Sequence, residues 1–285
     1  MKRKTIWLLL GVLLAALLIF GCYLFLIQRS EDLDAPLISL NADEISVSVE
    51  APRSELLQGV TAWDAHDGDV TASVLVESVY GMTKDHRATV TYAAFDQAGN
   101  VSKAERTVYY TDYESPRFTL SRPLAYPLGS TFDIMSDVGA QDILEGNIQR
   151  RIKATMLTSG TSVSEQGTHS VQFRVTNILG DTAQLVLPVE VYPSDAYNAQ
   201  LTLTEYLVYV PQGADFDRMS YLSQFSYLDE ELSLRYEIPE NLKLRVSGLV
   251  NTRIPGVYAV TYTASCTLEE QTYTGYTKLL VVVEE

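Results

Sequence analysis

The stretch ATVTYAAFDQAGN, residues 88–100, places Val90, Tyr92 and Ala94 on one side of an extended chain and ends in a Gly-Asn turn signal. Alternation of this kind marks a half-buried strand. Two later stretches carry it in the same phase. HSVQFRVTNILGD, residues 169–181, aligns Val171, Phe173 and Val175, and GVYAVTYTASC, residues 256–266, aligns Val260, Tyr262 and Ala264. A slip of one residue would exchange the faces, so a common phase marks equivalent strands. A polar turn and a last strand follow each, at 106–110, 185–192 and 278–283. Val90 to Val171 is 81 positions and Val171 to Val260 is 89. A unit of roughly 80–90 residues suits tandem small β-sandwiches better than solenoid repeats.

Helical periodicity is nearly absent after residue 30, so the expected fold class is all-β: three tandem sandwiches behind one N-terminal helix. The segments DYESP, 112–116, and PSDAYN, 193–198, break the strand pattern with Pro, Ser and Asp. They divide the chain into 1–30, 31–113, 114–194 and a divergent 195–285. Linkers this short predict a stiff rod, and the chain's end at Glu284-Glu285 makes the third repeat the expected tip. Residues 216–244 are the least repeat-like. Met219, Leu222, Phe225 and Leu228 have near-helical spacing, which predicts a short helix or an elaborated loop there, the most individual surface for a partner.

Residues 5–27, TIWLLLGVLLAALLIFGCYLFLI, contain no charge. As a helix they extend about 34 Å, enough for a hydrocarbon core of about 30 Å. Lys2, Arg3 and Lys4 precede the run and only Arg29 follows it closely, so the basic end is expected in the cytoplasm and the remainder outside a single-pass cell-membrane anchor. A signal peptide usually has an apolar region of about 7–15 residues and a small-residue cleavage site, and neither fits here. Gly21-Cys22 superficially resembles a lipid-attachment site. Phe20 is bulky, however, and the chain stays apolar through Ile27, so Cys22 reads as a thiol facing lipid. The chain holds 21 basic and 36 acidic residues. The first 30 contain four of the bases and no acid, leaving a net charge of −19 outside. So anionic a surface lacks the basic face that nucleic-acid binding requires.

The first unit resembles the bacterial Ig-like repeat, related to hyaline-type repeats, that occurs in tandem on cell-surface proteins. The residues carrying the resemblance are Asp64, Asp67-Gly68-Asp69-Val70-Thr71 and Asp96-Gln97-Ala98-Gly99-Asn100. The second unit keeps the outline with fewer acids: Asp142, Glu145-Gly146-Asn147-Ile148, Gly167-Thr168-His169 and Asn177-Ile178-Leu179-Gly180-Asp181. The third retains its strand half, 244–262, and has Cys266 where the Asp of the turn would fall. The resemblance implies Ig-like sandwiches on a bacterial surface, and no activity, because such folds host many roles.

Asp64, Asp67, Asp69 and Asp96 are the sharpest chemical candidates. Converging, they would offer hard oxygen ligands for calcium. The alternative is turn chemistry, with acids capping backbone amides and Gly68 and Gly99 supplying positive φ. His66, His86 and His169 lie in separate segments without zinc-ligand spacing. No Gly-x-Ser-x-Gly elbow, P-loop or Rossmann glycine pattern is present, so no catalytic residue and no organic cofactor are expected. Cys266 reads as a small strand residue, its only companion lying in the apolar run. The 18 tyrosines suit a glycan surface by stacking, although most sit where strands need β-formers. The sequon Asn100-Val101-Ser102 has meaning only in a eukaryotic host. The expected function is non-catalytic: adhesion or spacing in the cell envelope through a protein or glycan partner. An accessory structural subunit of an envelope complex and a glycan-binding module are the alternatives.

Overall fold

The computed structural model describes the backbone of residues 2–30, 32–157, 165–228, 230–235 and 237–285. The chain forms two compact units, Met1–Asp112 and Tyr113–Glu285. In the first, helix α1 (Lys2–Ser30) contains the uncharged run, and its side chains are described at 7 and 10–23. Among the described residues no helix is long and apolar enough to cross a membrane. The other side chains of 5–27, on which the anchor expectation rests, lie outside the described set.

The sandwich of the first unit comprises β1 (Leu37–Leu40), β2 (Glu44–Val47), β3 (Val60–Asp64), β4 (Gly68–Asp69), β5 (Leu75–Tyr80), β6 (Arg87–Phe95) and β7 (Val101–Tyr110). One sheet runs β1-β3-β4 and the other β2-β7-β6-β5, with β2 parallel to β7 and β6 antiparallel to it. Val90, Tyr92 and Ala94 are fully buried, together with Val47, Val60, Ala62 and Val108. Period-two alternation thus becomes a one-sided sheet, as strand geometry requires.

Arg106, only 5 % exposed, lies among these apolar groups on β7. Among the described residues no carboxylate forms an ion pair with it. Its Nε donates to Tyr92 Oη at 2.7 Å, and its Nη2 donates to the carbonyls of Leu56 (2.7 Å) and Gln58 (2.9 Å). Tyr92 Oη donates to the same Leu56 carbonyl at 2.6 Å. These carbonyls end the 3-10 turn Arg53–Leu57, so the guanidinium holds that connection against the core. Replacing Arg106 by Ala leaves the Gln58 carbonyl without its donor, strips the Leu56 carbonyl of one of its two, and should destabilise the first unit by about 2–3 kcal/mol. Arg106→Lys should recover only part of this, since a point ammonium cannot span the fork. Urea unfolding of the variants checks both.

The second unit opens with the same arrangement. Its strands are β8 (Arg117–Leu120), β9 (Ala125–Pro127), β10 (Val138–Asp142), β11 (Gly146–Asn147), β12 (Lys153–Met156), β13 (Gly167–Thr176) and β14 (Thr182–Tyr192), with a single helical turn, α2 (Ile134–Asp137), before β10. The sheets run β11-β10-β8 and β12-β13-β14-β9, with β9 parallel to β14, strand for strand the topology of the first unit. Val171, Phe173 and Val175 are buried as their phase predicts.

The remaining strands are β15 (Ala199–Leu203), β16 (Leu207–Pro211), β17 (Leu222–Tyr227), β18 (Glu230–Ser233), β19 (Lys243–Ser247), β20 (Gly256–Leu268) and β21 (Gln271–Glu284). They share one continuous sheet, β18-β17-β15-β21-β20-β19, with β16 also parallel to β21. Val260, Tyr262 and Ala264 are fully buried. The expected helix or loop around 216–244 is replaced by strands β17 and β18. The misleading three-residue spacing of Leu222 and Phe225 comes from a bulge: Leu203 faces Leu222 and Thr202 faces Gln224, so Ser223 is extra and both apolar side chains turn inward. Met219 and Leu228, which completed the helical pattern, are exposed.

The 193–198 segment does not separate two closed cores. Val208, Val210, Leu279 and Val281 enter the third sandwich's core, whereas Leu207, Leu280 and Val282 enter the second's. A strand pair buried on both faces explains the unbroken apolar run 279–283. The seam is also polar: Tyr209 Oη accepts from the Phe118 amide at 2.9 Å, and Glu190 accepts from Tyr276 Oη at 2.6 Å and forms an ion pair with Lys278. Packing is tight at Gly275, where β15 pairs in parallel with β21. A Cβ there would stand 3.0 Å from the Phe225 ring, 3.1 Å from the Leu201 amide nitrogen and 3.2 Å from the Ala199 carbonyl. Gly275→Ala should cost about 1–3 kcal/mol, read as a lowered thermal midpoint against Thr274→Ala as control.

Candidate metal centre

Asp64 ends β3 and is 1 % exposed. Its Oδ1 accepts from the amides of His66 (2.7 Å) and Asp67 (2.9 Å), which closes the tight turn into β4. These two donors hold its carboxyl below the usual carboxylate range. Its Oδ2 is buried and has no hydrogen-bond partner among the described residues. Asp96 follows β6 and accepts from the Asn100 amide and from Asn100 Nδ2, both at 2.7 Å. Asn100 Nδ2 also donates to the carbonyls of Asp32 (3.0 Å) and Asp34 (3.1 Å), fastening the segment after α1 to this loop. One carboxylate oxygen each from Asp32, Asp64 and Asp96 lies within 4.8 Å of the others. His66 Nδ1 stands 3.1 Å from Asp32 Oδ1 on the solvent side. Among the described residues no Lys or Arg forms an ion pair with the three carboxylates.

The structure therefore brings together Asp64 and Asp96 of the sequence-derived set and separates them from Asp67 and Asp69. Asp67 Oδ2 accepts from the Gln97 amide at 2.7 Å, joining the two turns. Asp69 Oδ1 accepts from the Thr71 amide at 3.0 Å and closes the next turn. Asp32 is the residue that sequence reasoning missed. It precedes the first strand, and the only signal for it is the alternation of Asp32 and Asp34 just before Pro36.

The second sandwich holds the same carboxylate with a different neighbour. Asp142 Oδ1 accepts from the amides of Leu144 and Glu145, both at 3.0 Å, as Asp64 does two strands after its own start. Here Oδ2 is satisfied, accepting from Asn177 Nδ2 at 2.9 Å. Asn177 stands where the first sandwich has Asp96, and its Oδ1 accepts from the amides of Leu179 and Asp181. Asn177 Nδ2 also donates to Tyr113 Oη at 2.8 Å, and that hydroxyl donates to Asp181 Oδ2 at 2.7 Å. Glu145 accepts from the Ile178 amide at 2.7 Å, as Asp67 does from Gln97, and is gripped through both oxygens by Arg151. In the third sandwich Cys266 is buried against Tyr227, and burial pushes its thiol above the ordinary value.

The other candidates are spread out. His169 bonds the Glu165 carbonyl through Nε2 at 2.8 Å, and His86 sits at φ 60 in a turn. A groove of about 520 Å³ is lined by Tyr126, Tyr192, Tyr197 and Tyr276. Within it Tyr197 and Tyr276 stack on each other, with centroids 4.8 Å apart, and Tyr192 meets Tyr197 edge-on. Tyr197 and Tyr276 thus each have one ring face occupied by the other, and Tyr126 stacks on Phe132 with centroids 4.0 Å apart.

No known protein family matches the chain, and no curated protein does. Solved structures similar to it include the CBM51-2 domain with GlcNAc and INT domains from Clostridium perfringens ZmpB, at 18% identity and TM-score 0.22 over 87% of this chain and 41% of that one. Another is the protocadherin GammaB4 extracellular domain, at 10% identity and TM-score 0.19 over 87% of this chain and 49% of that one. The chain spans less than half the length of either.

Asn177 offers a direct check on this site. Asn177→Ala removes the donor to Asp142 Oδ2 and should destabilise the second unit by about 2–3 kcal/mol. Thermal unfolding of the variant measures it, and the equivalent truncation of the exposed Asn198 is the control.

Proposed function

We propose that this protein is a non-catalytic binding or spacing component of a bacterial cell envelope, with residues 5–27 as a single-pass membrane anchor and 31–285 outside as tandem Ig-like sandwiches of the hyaline-related kind. The observation that carries the reading is the join of a 23-residue uncharged stretch, flanked by Lys2, Arg3 and Lys4, to a chain that is thereafter built of sandwich-like sheets. An uncharged helix of this length is stable in a bilayer because its backbone bonds are internal. The basic end sets its orientation. The strongly acidic exterior keeps an exported chain soluble and disfavours contact with polyanions. Adhesion or spacing follows from rigid β-sandwiches that present loops at their ends, as in other extracellular modules.

In cell fractionation the full chain should stay with membranes after alkaline carbonate washing, and protease added to intact protoplasts should remove the 31–285 portion. Release of the chain by carbonate, or complete protection from protease, would overturn the reading. Cross-linking in intact cells identifies the partner, protein or glycan.

A further inference from the structure

We infer that Asp32, Asp64 and Asp96 hold a calcium ion that fastens the segment following α1 to the turns of the first sandwich. The inference stands on two separate observations. Three carboxylate oxygens converge within 4.8 Å, and Asp64 Oδ2, in a residue 1 % exposed, has no donor among the described residues. A buried carboxylate oxygen without a partner costs free energy comparable to a lost charged hydrogen bond. Placing two more carboxylates beside it adds repulsion rather than relief.

The second sandwich supplies an internal comparison. There the same oxygen, Asp142 Oδ2, accepts from Asn177 Nδ2 at 2.9 Å. The first sandwich has Asp96 at that place, and a carboxylate has no proton to give. The positive partner must come from elsewhere, and the exposed His66 reaches Asp32 rather than Asp64. A cation replaces the amide. Oxygens bound about 2.4 Å from one calcium ion can stand up to about 4.8 Å apart, whereas magnesium at about 2.05 Å draws its ligands closer and keeps more of its water. Three carboxylates leave the remaining positions of a six- to eight-coordinate calcium to water and carbonyls. The ion would neutralise two of three charges and tie Asp32, which precedes the sandwich, to Asp64 and Asp96 within it. The inference is independent of where the protein resides.

The test uses the full chain in detergent after treatment with a chelator. Titration with CaCl₂ followed by calorimetry should show one saturable site with Kd about 10⁻⁴–10⁻³ M, the range of extracellular modules, and at least tenfold weaker binding of MgCl₂. Asp96→Asn should abolish calcium binding and remain folded, because its amide repeats the donation that Asn177 makes to Asp142. Asp32→Asn, at the edge of the cluster, should weaken binding at least tenfold and serves if the first variant does not fold. Calcium should also slow cleavage by a protease specific for Asp at least fivefold at Asp32 and Asp34 in the wild type and not in Asp96→Asn. Absence of a saturable site up to 10 mM calcium, on the order of ten times the weakest expected Kd, would overturn the inference. Wild-type affinity in either variant, or cleavage insensitive to calcium, would do the same.

Discussion

Three long strands, each turning every second side chain inward, hold this protein together. Val90-Tyr92-Ala94, Val171-Phe173-Val175 and Val260-Tyr262-Ala264 are buried to 2 % exposure or less. Burying each of the larger side chains among them is worth about 1.5–3 kcal/mol relative to exposure, the two alanines contributing less. Everything else is arranged around those faces: the antiparallel partners β7, β14 and β21 extend them, and the short opposing strands cover them. Tyr92 shows how narrow the margin is, since its hydroxyl enters the core only because Leu56 and Arg106 meet it there.

The turns at the end of each sandwich face a second constraint. Closing the turn after β3 or β10 takes a carboxylate whose first oxygen caps two amides, which buries the second oxygen. The chain meets that demand by a side-chain amide from Asn177 in one sandwich and leaves it open to a cation beside Asp96 in the other. One change of residue type, amide for carboxylate, separates a turn whose second oxygen is satisfied from one whose second oxygen has no donor among the described residues. The surrounding clips are the same in both, Asp67 to Gln97 and Glu145 to Ile178.

Much of the fold was legible because one-sided burial writes itself into the alternation of residues. Where burial is two-sided or the count is broken, the pattern misleads. The run 279–283 carries no alternation because its neighbours cover both faces. The Leu222–Phe225 spacing imitates a helix because Ser223 is extra in its strand. In the acid cluster, Asp64 and Asp96 were legible through the turn chemistry around them. Asp67 and Asp69 are indistinguishable from Asp64 by residue type, and only the placement of nearby amides assigns them to turns. Asp32 lay beyond reach since its proximity is a product of tertiary folding, through Asn100, and not of local sequence.

The strand pair β16–β21 belongs to two hydrophobic cores at once. A gene segment ending near residue 195 would therefore encode a sandwich missing part of its own lining, the core of Phe118, Tyr126 and Val189 having lost Leu207, Leu280 and Val282. Duplication, exchange or loss of such cassettes is unhindered only where each cassette is closed. The last two sandwiches are accordingly one cooperative block, Tyr113–Glu285, and not two separable modules.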